Sequence, residues 1–295
     1  MEYFLAVDIG GTTFNTGLFT KDLIQVEVAA KDKIRYYDSK NEIINEIIKQ
    51  FEFLIENNNV NKKEIIGIGV ASPGPLDSKK GIILNTPNLK MFQNYHITND
   101  FNKKLKIDTF LENDANLFTL GEWYNYKKED VVLGVTLGTG LGFGVVINGK
   151  LFTGGNGNAL EYGHSPFKWG ICEKNVCLNF IRNRSKDLYG EQVRPKIIEK
   201  YCREGDEKAK NIYNEFGNNL GIVLSHAVNM FDPNVIIIGG GLSKAFDCFK
   251  DSMLLSLDKH SYSFSKNSIE ILESKLKESS IMRGACLMVK NVKGL

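Results

Sequence analysis

The sequence is poor in arginine and contains no long apolar run. Of its 37 basic residues only six are arginines, and arginine is the residue best suited to bidentate contact with phosphate and guanine. Against 35 acidic residues the net charge is only +2, so we expect no nucleic-acid partner. No stretch approaches the roughly 18 apolar residues that mark a membrane-spanning helix, so we expect no membrane partner either.

Cysteine is also scarce. The five cysteines are an odd number at irregular spacing, which indicates reduced thiols rather than a disulfide framework. The segment before Asp8 lacks the basic leader and long apolar core of a signal peptide, so we expect a cytoplasmic protein. The 295 residues, 42% apolar and 24% charged, exclude collagen-like, coiled-coil and disordered classes and suggest two domains.

The first part of the chain alternates strand and helix patterns. Apolar runs predict strands at 3–7, 14–19, 23–30, 65–71 and 107–111. Between them, Ser39 and Glu42 have the spacing of a capping box, and the isoleucines that follow predict a helix ending at the asparagines 57–59. This order indicates an α/β domain with a mixed sheet.

The second part of the chain also alternates predicted strands and helices. Strands are predicted at 131–137 and 143–147, the latter turned back by the hairpin dipeptide Asn148-Gly149. A long helix is predicted over 206–230, with His226 as a core histidine whose polar atoms are satisfied. A strand at 234–238 follows, and the remainder is predicted to be helical or irregular. We place the domain boundary at residue 116.

Three loops share one design, in which an apolar strand ends in glycines beside small hydroxyl residues. Glycine lets backbone N–H groups approach an anion, and threonine adds a donor. Each loop alone could equally be a tight turn. A dinucleotide-binding fold is disfavoured, because the first loop lacks GxGxxG and the second is followed by a strand instead of a helix. The loops are Asp8-Ile9-Gly10-Gly11-Thr12-Thr13, Leu137-Gly138-Thr139-Gly140-Leu141-Gly142 and Ile238-Gly239-Gly240-Gly241.

Together with other motifs, these loops make the chain resemble a sugar kinase of the ROK family (repressors, open reading frames and kinases). The resemblance runs nearly end to end, and its further motifs are Ser72–Asp77, Asn85–Leu89, Glu112–Asn116, Glu161-Tyr162-Gly163-His164, Asp232-Pro233 and Gly284-Ala285. It implies two α/β domains of the actin-like (ribonuclease H-like) type with an active-site cleft between them. We expect a small domain at 1–116, a large one at 117–280, and a last helix (about 280–295) packed on the first.

The resemblance also implies roles for individual residues. Asp114 would be the catalytic base, although an aspartate here could instead be a helix N-cap. Asp8 would orient Mg²⁺ or its waters. Residues expected to bind ATP are Asp8, Gly10, Gly11, Thr12, Thr13, Gly138, Thr139, Gly140, Gly240 and Gly241. Residues expected to bind the sugar are Gly74, Asn88, Asn113, Asp114, Glu161, His164 and Asn179.

The chain departs from the family pattern near the sugar. A zinc site in the family uses one His and three Cys, but the first Cys falls on Gly170 here. An incomplete site of His164, Cys172 and Cys177 would remain, and we favour two free buried thiols over it. Asn179 stands where the family usually has Glu, while Leu160 and Phe143 stand at common Gly positions.

We therefore expect an ATP-dependent hexokinase that phosphorylates the 6-hydroxyl of a hexose, with glucose first. Allose, fructose, N-acetylmannosamine or a β-glucoside are alternatives. A different class, a sugar-sensing protein without turnover, is suggested by the eroded cysteine cluster. A repressor is disfavoured, since the first phosphate motif begins at Asp8 and leaves no room before it for a recognition helix. Family members commonly dimerise, so we expect a homodimer.

Overall fold

The computed structural model describes residues 1–87, 89–168, 170–262, 269–276 and 279–295. The chain forms two compact units. The first comprises Met1–Asn125, Leu151–Ala159 and Glu278–Leu295, and the second Tyr126–Lys150 and Leu160–Lys277. Within the described part of the chain, no helix combines the length and apolarity that crossing a bilayer requires.

The first unit is built on a mixed sheet, as the strand and helix alternation predicts. The elements are β1 Tyr3–Ile9, β2 Thr13–Thr20, β3 Gln25–Val28, β4 Asp32–Lys33, α1 Lys40–Asn57, β5 Ile65–Ser72, β6 Leu76–Asp77, β7 Ile82–Ile83, α2 Ile97–Leu105, β8 Thr109–Asn113 and α3 Asp114–Trp123. The strand order in the sheet is β3-β2-β1-β5-β8, with β4 paired to β2. Strand β1 is antiparallel to β2 and parallel to β5, which is parallel to β8.

Helix α1 begins where the sequence predicts, with one difference at its cap. The Ser39 hydroxyl accepts a hydrogen bond from the Glu42 N–H at 3.3 Å. The Glu42 carboxylate accepts from the N–H of Asp38 at 3.0 Å, one residue before the expected partner. The apolar face of α1 is buried in the core of the first unit together with β1 and β5.

The second unit contains the elements β9 Val131–Leu137, β10 Leu141–Ile147, β11 Lys150–Leu151, β12 Pro166–Phe167, β13 Gly170–Ile171, α4 Cys172–Asn175, α5 Leu178–Tyr189, α6 Pro195–Arg203, α7 Glu207–Phe231, β14 Val235–Gly239, α8 Phe246–His260 and β15 Glu270–Glu273. Among its described residues, the main sheet has five strands in the order β11-β10-β9-β14-β15. Asn148 and Gly149 both have positive φ, of 49° and 76°, which confirms the predicted hairpin turn.

Strand β15 is a correction to the expectation of helical or irregular sequence after residue 238. It is parallel to β14 and lies at the edge of the sheet, with none of its four residues fully buried. An edge strand needs no continuous apolar run, because one side and part of its faces remain in solvent. The sequence therefore carries little signal for it.

The last helix, α9 (Ser279–Val292), belongs to the first unit and packs on α3 and on β5 and β1. Glycines allow the two helices to approach closely. A Cβ atom on Gly284 would lie 1.9 Å from the carbonyl oxygen of Leu117, and one on Gly121 would lie 1.9 Å from that of Ser280. The residue 116 boundary falls inside α3, which this packing keeps entirely in the first unit.

Candidate active site

The proposed base, Asp114, is the first residue of α3, directly after β8. Asn113 is the N-cap of this helix, and its Oδ1 accepts hydrogen bonds from the N–H groups of Ala115 and Asn116 at 2.9 and 3.2 Å. The alternative in which Asp114 caps the helix is therefore wrong. The half-buried Asp114 carboxylate accepts from the Ala115 N–H at 2.8 Å, close to the positive end of the helix.

The buried carboxylate of Glu112 is hydrogen-bonded to the segment that carries Asp114. Glu112 is 7% exposed, and its Oε1 accepts from the Asn113 N–H at 2.8 Å and from Asn116 Nδ2 at 3.0 Å. Burial raises the pKa of Glu112, and hydrogen bonds from Asn113, Asn116 and Ser78 oppose that rise only in part. The other amide atom, Asn116 Oδ1, is buried and receives no hydrogen bond from the described residues.

The first glycine loop joins β1 to β2. The Gly10 N–H donates to the carbonyl oxygen of Thr13 at 2.9 Å, which closes the turn through Gly11 and Thr12. Asp8 lies one residue before the end of β1, half-buried and paired in register with Asn15. Its carboxylate and the threonine hydroxyls are hard oxygen donors of the kind Mg²⁺ prefers, and Mg²⁺ at phosphate sites needs few protein ligands.

Two further loops of the first unit surround the predicted sugar-binding residue Gly74. The Gly74–Pro75 peptide bond is cis. Thr86 Oγ1 lies 3.4 Å from the carbonyl oxygens of both Pro73 and Pro75, so the segments at 72–77 and 85–87 are held together. The predicted residue Asn88 lies outside the described residues.

In the second unit, the loops after β9 and β14 lie side by side because these strands are parallel neighbours. Gly240 has φ +87°, and a Cβ there would lie 2.3 Å from the carbonyl oxygen of Leu137, so only glycine fits. In contrast, a Cβ on Gly138 or Gly241 would meet no heavy atom within 4 Å. The backbone at both of these glycines is therefore open to approach by other atoms.

The predicted sugar residues Glu161 and His164 share a 3₁₀ turn beside the second loop. A Cβ on Gly163 would lie 2.4 Å from the carbonyl oxygen of Leu141, so the turn packs against the end of that loop. Glu161 Oε2 lies 3.7 Å from His164 Nδ1, and the side chains are 47% and 67% exposed. Both are therefore open to a ligand with hydroxyl groups.

The residue before this turn, Leu160, has φ +68° and ψ 15°. This left-handed conformation costs a residue with a Cβ about 1–2 kcal/mol. Glycine adopts this conformation without that cost, which is consistent with the glycine that the resemblance leads us to expect here. Leu160 packs against the apolar core of the second unit, as does Phe143, whose ring meets that of Tyr162 edge-on at 5.9 Å.

The incomplete zinc site is not assembled. Across the described ranges, no group of three His, Cys, Asp or Glu side chains is placed to hold a metal. Cys172 and Cys177 are buried thiols, and burial raises the pKa of both. His164 is instead exposed beside Glu161.

Tyr162 supplies support for the turn that sequence reasoning missed. Its hydroxyl group is hydrogen-bonded to Nδ1 of His226 in α7 and also interacts with Cys172. Nδ1 of the half-buried His226 thus has a hydrogen-bond partner, and that partner is the residue between Glu161 and Gly163. The sequence signal for this contact is that a tyrosine, Tyr162, lies in the turn and a single histidine, His226, lies in the apolar part of a helix.

Asn179 and Glu173 lie on the segment that follows the turn. Asn179 is exposed, and its Oδ1 accepts from Arg182 at 3.0 Å. The neighbouring Leu178 donates its N–H to the carbonyl oxygen of Gly138 at 2.9 Å. Glu173 was not predicted to be functional, yet its carboxylate accepts from the N–H of Leu141 at 3.1 Å.

The chain is similar to known proteins over nearly its whole length. The model of the ROK family matches residues 4–292. The chain belongs to the ROK family. Its ROK relatives include the glucokinase of Thermotoga maritima, 29% identical with 97% of this chain and 96% of that protein covered. The N-acetyl-D-glucosamine kinase of Pectobacterium carotovorum subsp. carotovorum is 30% identical over 80% of this chain and 83% of that protein.

Solved structures of the ROK family show the same fold. The ROK family glucokinase from Streptomyces griseus, in complex with glucose and AMPPNP, is 22% identical and superposes with a TM-score of 0.83. The match covers 98% of this chain and 99% of that one. The ROK fold is thus the mixed α/β, actin-like architecture expected from the sequence.

Proposed function

We propose that this protein is an ATP-dependent hexokinase that transfers the γ-phosphoryl group to the 6-hydroxyl of a hexose. The observation that carries the proposal is Asp114, held at the start of α3 by the Asn113 cap in a chain that matches the ROK family almost throughout. Its curated relatives named above are sugar kinases.

Asp114 acts as the general base in this proposal. Its carboxylate accepts the proton of the sugar hydroxyl while that oxygen attacks the γ-phosphorus and ADP leaves. The Asn113 Oδ1 is committed to the helix cap, so its amide group contributes through its N–H donors, which can hold a neighbouring sugar hydroxyl.

The phosphate groups are received by the glycine loops. The proposed phosphate contacts are Gly10, Gly11, Thr12, Thr13, Gly138, Thr139, Gly140, Gly240 and Gly241. The N–H groups of Gly10 and Gly138 already donate within their own loops, so the threonine hydroxyls and the other backbone N–H groups would serve the phosphates. Asp8 would hold Mg²⁺ or its water ligands. When bound, the ion supplies charge neutralisation of the transferring phosphoryl group.

Glucose is the first choice of sugar, because the Glu-Asn-Asp-Ala-Asn segment with Glu161 and His164 resembles ROK glucokinases and a relative of high coverage is a glucokinase. Gly74, Asn88, Glu161, His164 and Asn179 are the proposed sugar contacts beside Asn113 and Asp114. Other hexoses, including N-acetylated ones, remain alternatives, since the N-acetyl-D-glucosamine kinase is as similar. We further propose that the protein is cytoplasmic and forms a homodimer. Light scattering of the purified protein can test whether it is a dimer.

The testing experiment measures ADP release with Mg·ATP across hexoses, N-acetylhexosamines and β-glucosides. We expect turnover with one sugar well above the others. Asp114→Ala is expected to lower kcat by about 10²–10⁴, the usual contribution of a positioned base. Sugar binding without sugar-dependent ADP release would favour the sensor, and near-normal turnover of Asp114→Ala would remove this residue from the mechanism.

A further inference from the structure

The segment that follows the Glu161–His164 turn contacts the second phosphate loop at three places. The Leu178 N–H donates to the Gly138 carbonyl oxygen at 2.9 Å, and the Leu141 N–H donates to Glu173 Oε2 at 3.1 Å. A Cβ on Gly140 would lie 2.4 Å from the same Glu173 oxygen. Both ends of the loop are therefore tied to one short piece of chain, and the Glu173 carboxylate lies against its middle.

The segment that contains Cys172 and Glu173 also contacts the Glu161–His164 turn. The Cys172 N–H donates to the Ser165 carbonyl oxygen at 2.9 Å, directly after His164, and Cys172 interacts with Tyr162. Glu173 is half-buried and is the second residue of helix α4. Its position is thus set by backbone hydrogen bonds and by the buried Cys172.

We propose that Glu173 is a positioning residue for the phosphate loop, fixing the Leu141 N–H and the Gly138–Leu141 backbone in the shape that receives ATP. The carboxylate occupies the space that the missing Cβ of Gly140 leaves. Gly140 is then required for contact with the chain's own acidic side chain, whereas the open face at Gly138 is left for the nucleotide. This inference rests on the proposed kinase function for its effect on ATP, but not for the contact itself.

Two substitutions separate the role of the hydrogen bond from the role of the charge. Glu173→Gln keeps an oxygen that can accept from Leu141 and removes the charge. Glu173→Ala removes the acceptor. We expect Glu173→Ala to raise KM for ATP by about fivefold, as the loss of one hydrogen bond typically does. KM for the sugar and the melting temperature should change little. Glu173→Gln should stay within about twofold of the parent protein. Exposed Glu191→Ala is the matched control.

A second readout does not need turnover. Amide hydrogen exchange of the ligand-free protein should be faster at Leu141 in Glu173→Ala, and unchanged in Glu173→Gln and Glu191→Ala. Unchanged Leu141 exchange and unchanged KM for ATP in Glu173→Ala would overturn the proposal. If the parent protein shows no ADP release, the kinase assignment fails while exchange still decides on Glu173.

If Glu173→Ala does not fold, Glu173→Asp replaces it. Its carboxylate keeps the charge but is one methylene shorter and falls short of Leu141. It should therefore speed exchange at Leu141 and raise KM for ATP. Parent-like exchange in Glu173→Asp would overturn the proposal, because it would show that the reach of the side chain does not matter.

Discussion

Gly284→Ala should loosen the packing that holds the helix beginning at Asp114. The added methyl carbon would lie 1.9 Å from the carbonyl oxygen of Leu117 and 3.0 Å from the N–H nitrogen of Gly121. Both neighbours are backbone atoms of α3, so no side-chain rotation can relieve the overlap. The contact at Leu117 must lengthen by roughly 1.5 Å to reach an ordinary van der Waals distance, so the two helices must move apart.

The magnitude follows from two opposing effects. Overpacking a tight interface costs about 1–3 kcal/mol, and here the upper end applies because backbone is the obstacle. Alanine in a helix interior recovers about 1 kcal/mol relative to glycine. The net destabilisation is therefore about 2 kcal/mol, which corresponds to a fall in Tm of roughly 4–8 °C for a domain of 150–250 residues.

Thermal denaturation of the parent protein, Gly284→Ala and the exposed control Asn291→Ala on the same helix measures this effect. Gly121→Ala should act similarly, because its Cβ meets Ser280 across the same crossing. The fall in Tm of the double variant should be smaller than the sum of the falls in the two single variants. The first methyl group already separates the helices, so the second is accommodated more easily. A Tm for Gly284→Ala within 1 °C of the control would refute the reasoning.

Three further predictions concern the site. Tyr162→Phe removes the hydroxyl group bonded to His226, and should raise KM for the sugar by about fivefold with KM for ATP unchanged. Burial raises the pKa of Glu112, so the folded state binds a proton more tightly than the unfolded chain. Its contribution to stability is full below the unfolded pKa of about 4.3 and is lost as pH rises through the folded pKa. Glu112→Gln should remove that loss, giving a flatter profile of Tm against pH. Asn179→Glu should shift the preferred sugar.

Each of these predictions has its own control and contrary result. Fully exposed Tyr262→Phe is the control for Tyr162, and an equal rise of both KM values would count against a role in the turn. The exposed substitution Glu52→Gln is the control for Glu112→Gln. If Glu112→Gln has the same profile of Tm against pH as the parent protein, the raised pKa of Glu112 does not contribute to the pH dependence of stability. For Asn179→Glu, unchanged relative kcat/KM across the sugar panel would show that this position does not select the sugar.

Local patterns in the sequence predicted much of the fold. The isoleucine spacing after Ser39 gave the register of α1, and the long apolar periodicity predicted 206–230 where α7 spans Glu207–Phe231. Asn148-Gly149 predicted its hairpin, because both residues tolerate positive φ. These elements were predictable since their signals lie within a few residues of one another.

Contacts between distant segments could not be predicted in the same way. Nothing around Gly284 indicates that it meets Leu117, and nothing around Glu173 indicates that it faces Leu141. The resemblance supplied Asp114, but only the structure shows that Asn113 is the helix cap. Leu160 could be recognised as unusual by comparison with the family, while the reason, its left-handed backbone, required coordinates.

The α3–α9 packing also governs when the first unit can be completed during synthesis. Glu122 and Ser280, hydrogen-bonded at 2.5 Å in this interface, are 158 residues apart in the chain. At about 5–20 residues per second, a ribosome needs roughly 8–30 s to make the intervening polypeptide. During that interval the surface of α3 that packs on α9 is not yet covered, because the residues of the second unit are synthesised before α9. The nascent chain therefore carries its proposed catalytic helix incompletely covered until α9 has been synthesised, and a chaperone that binds exposed apolar surface would protect the helix during that interval.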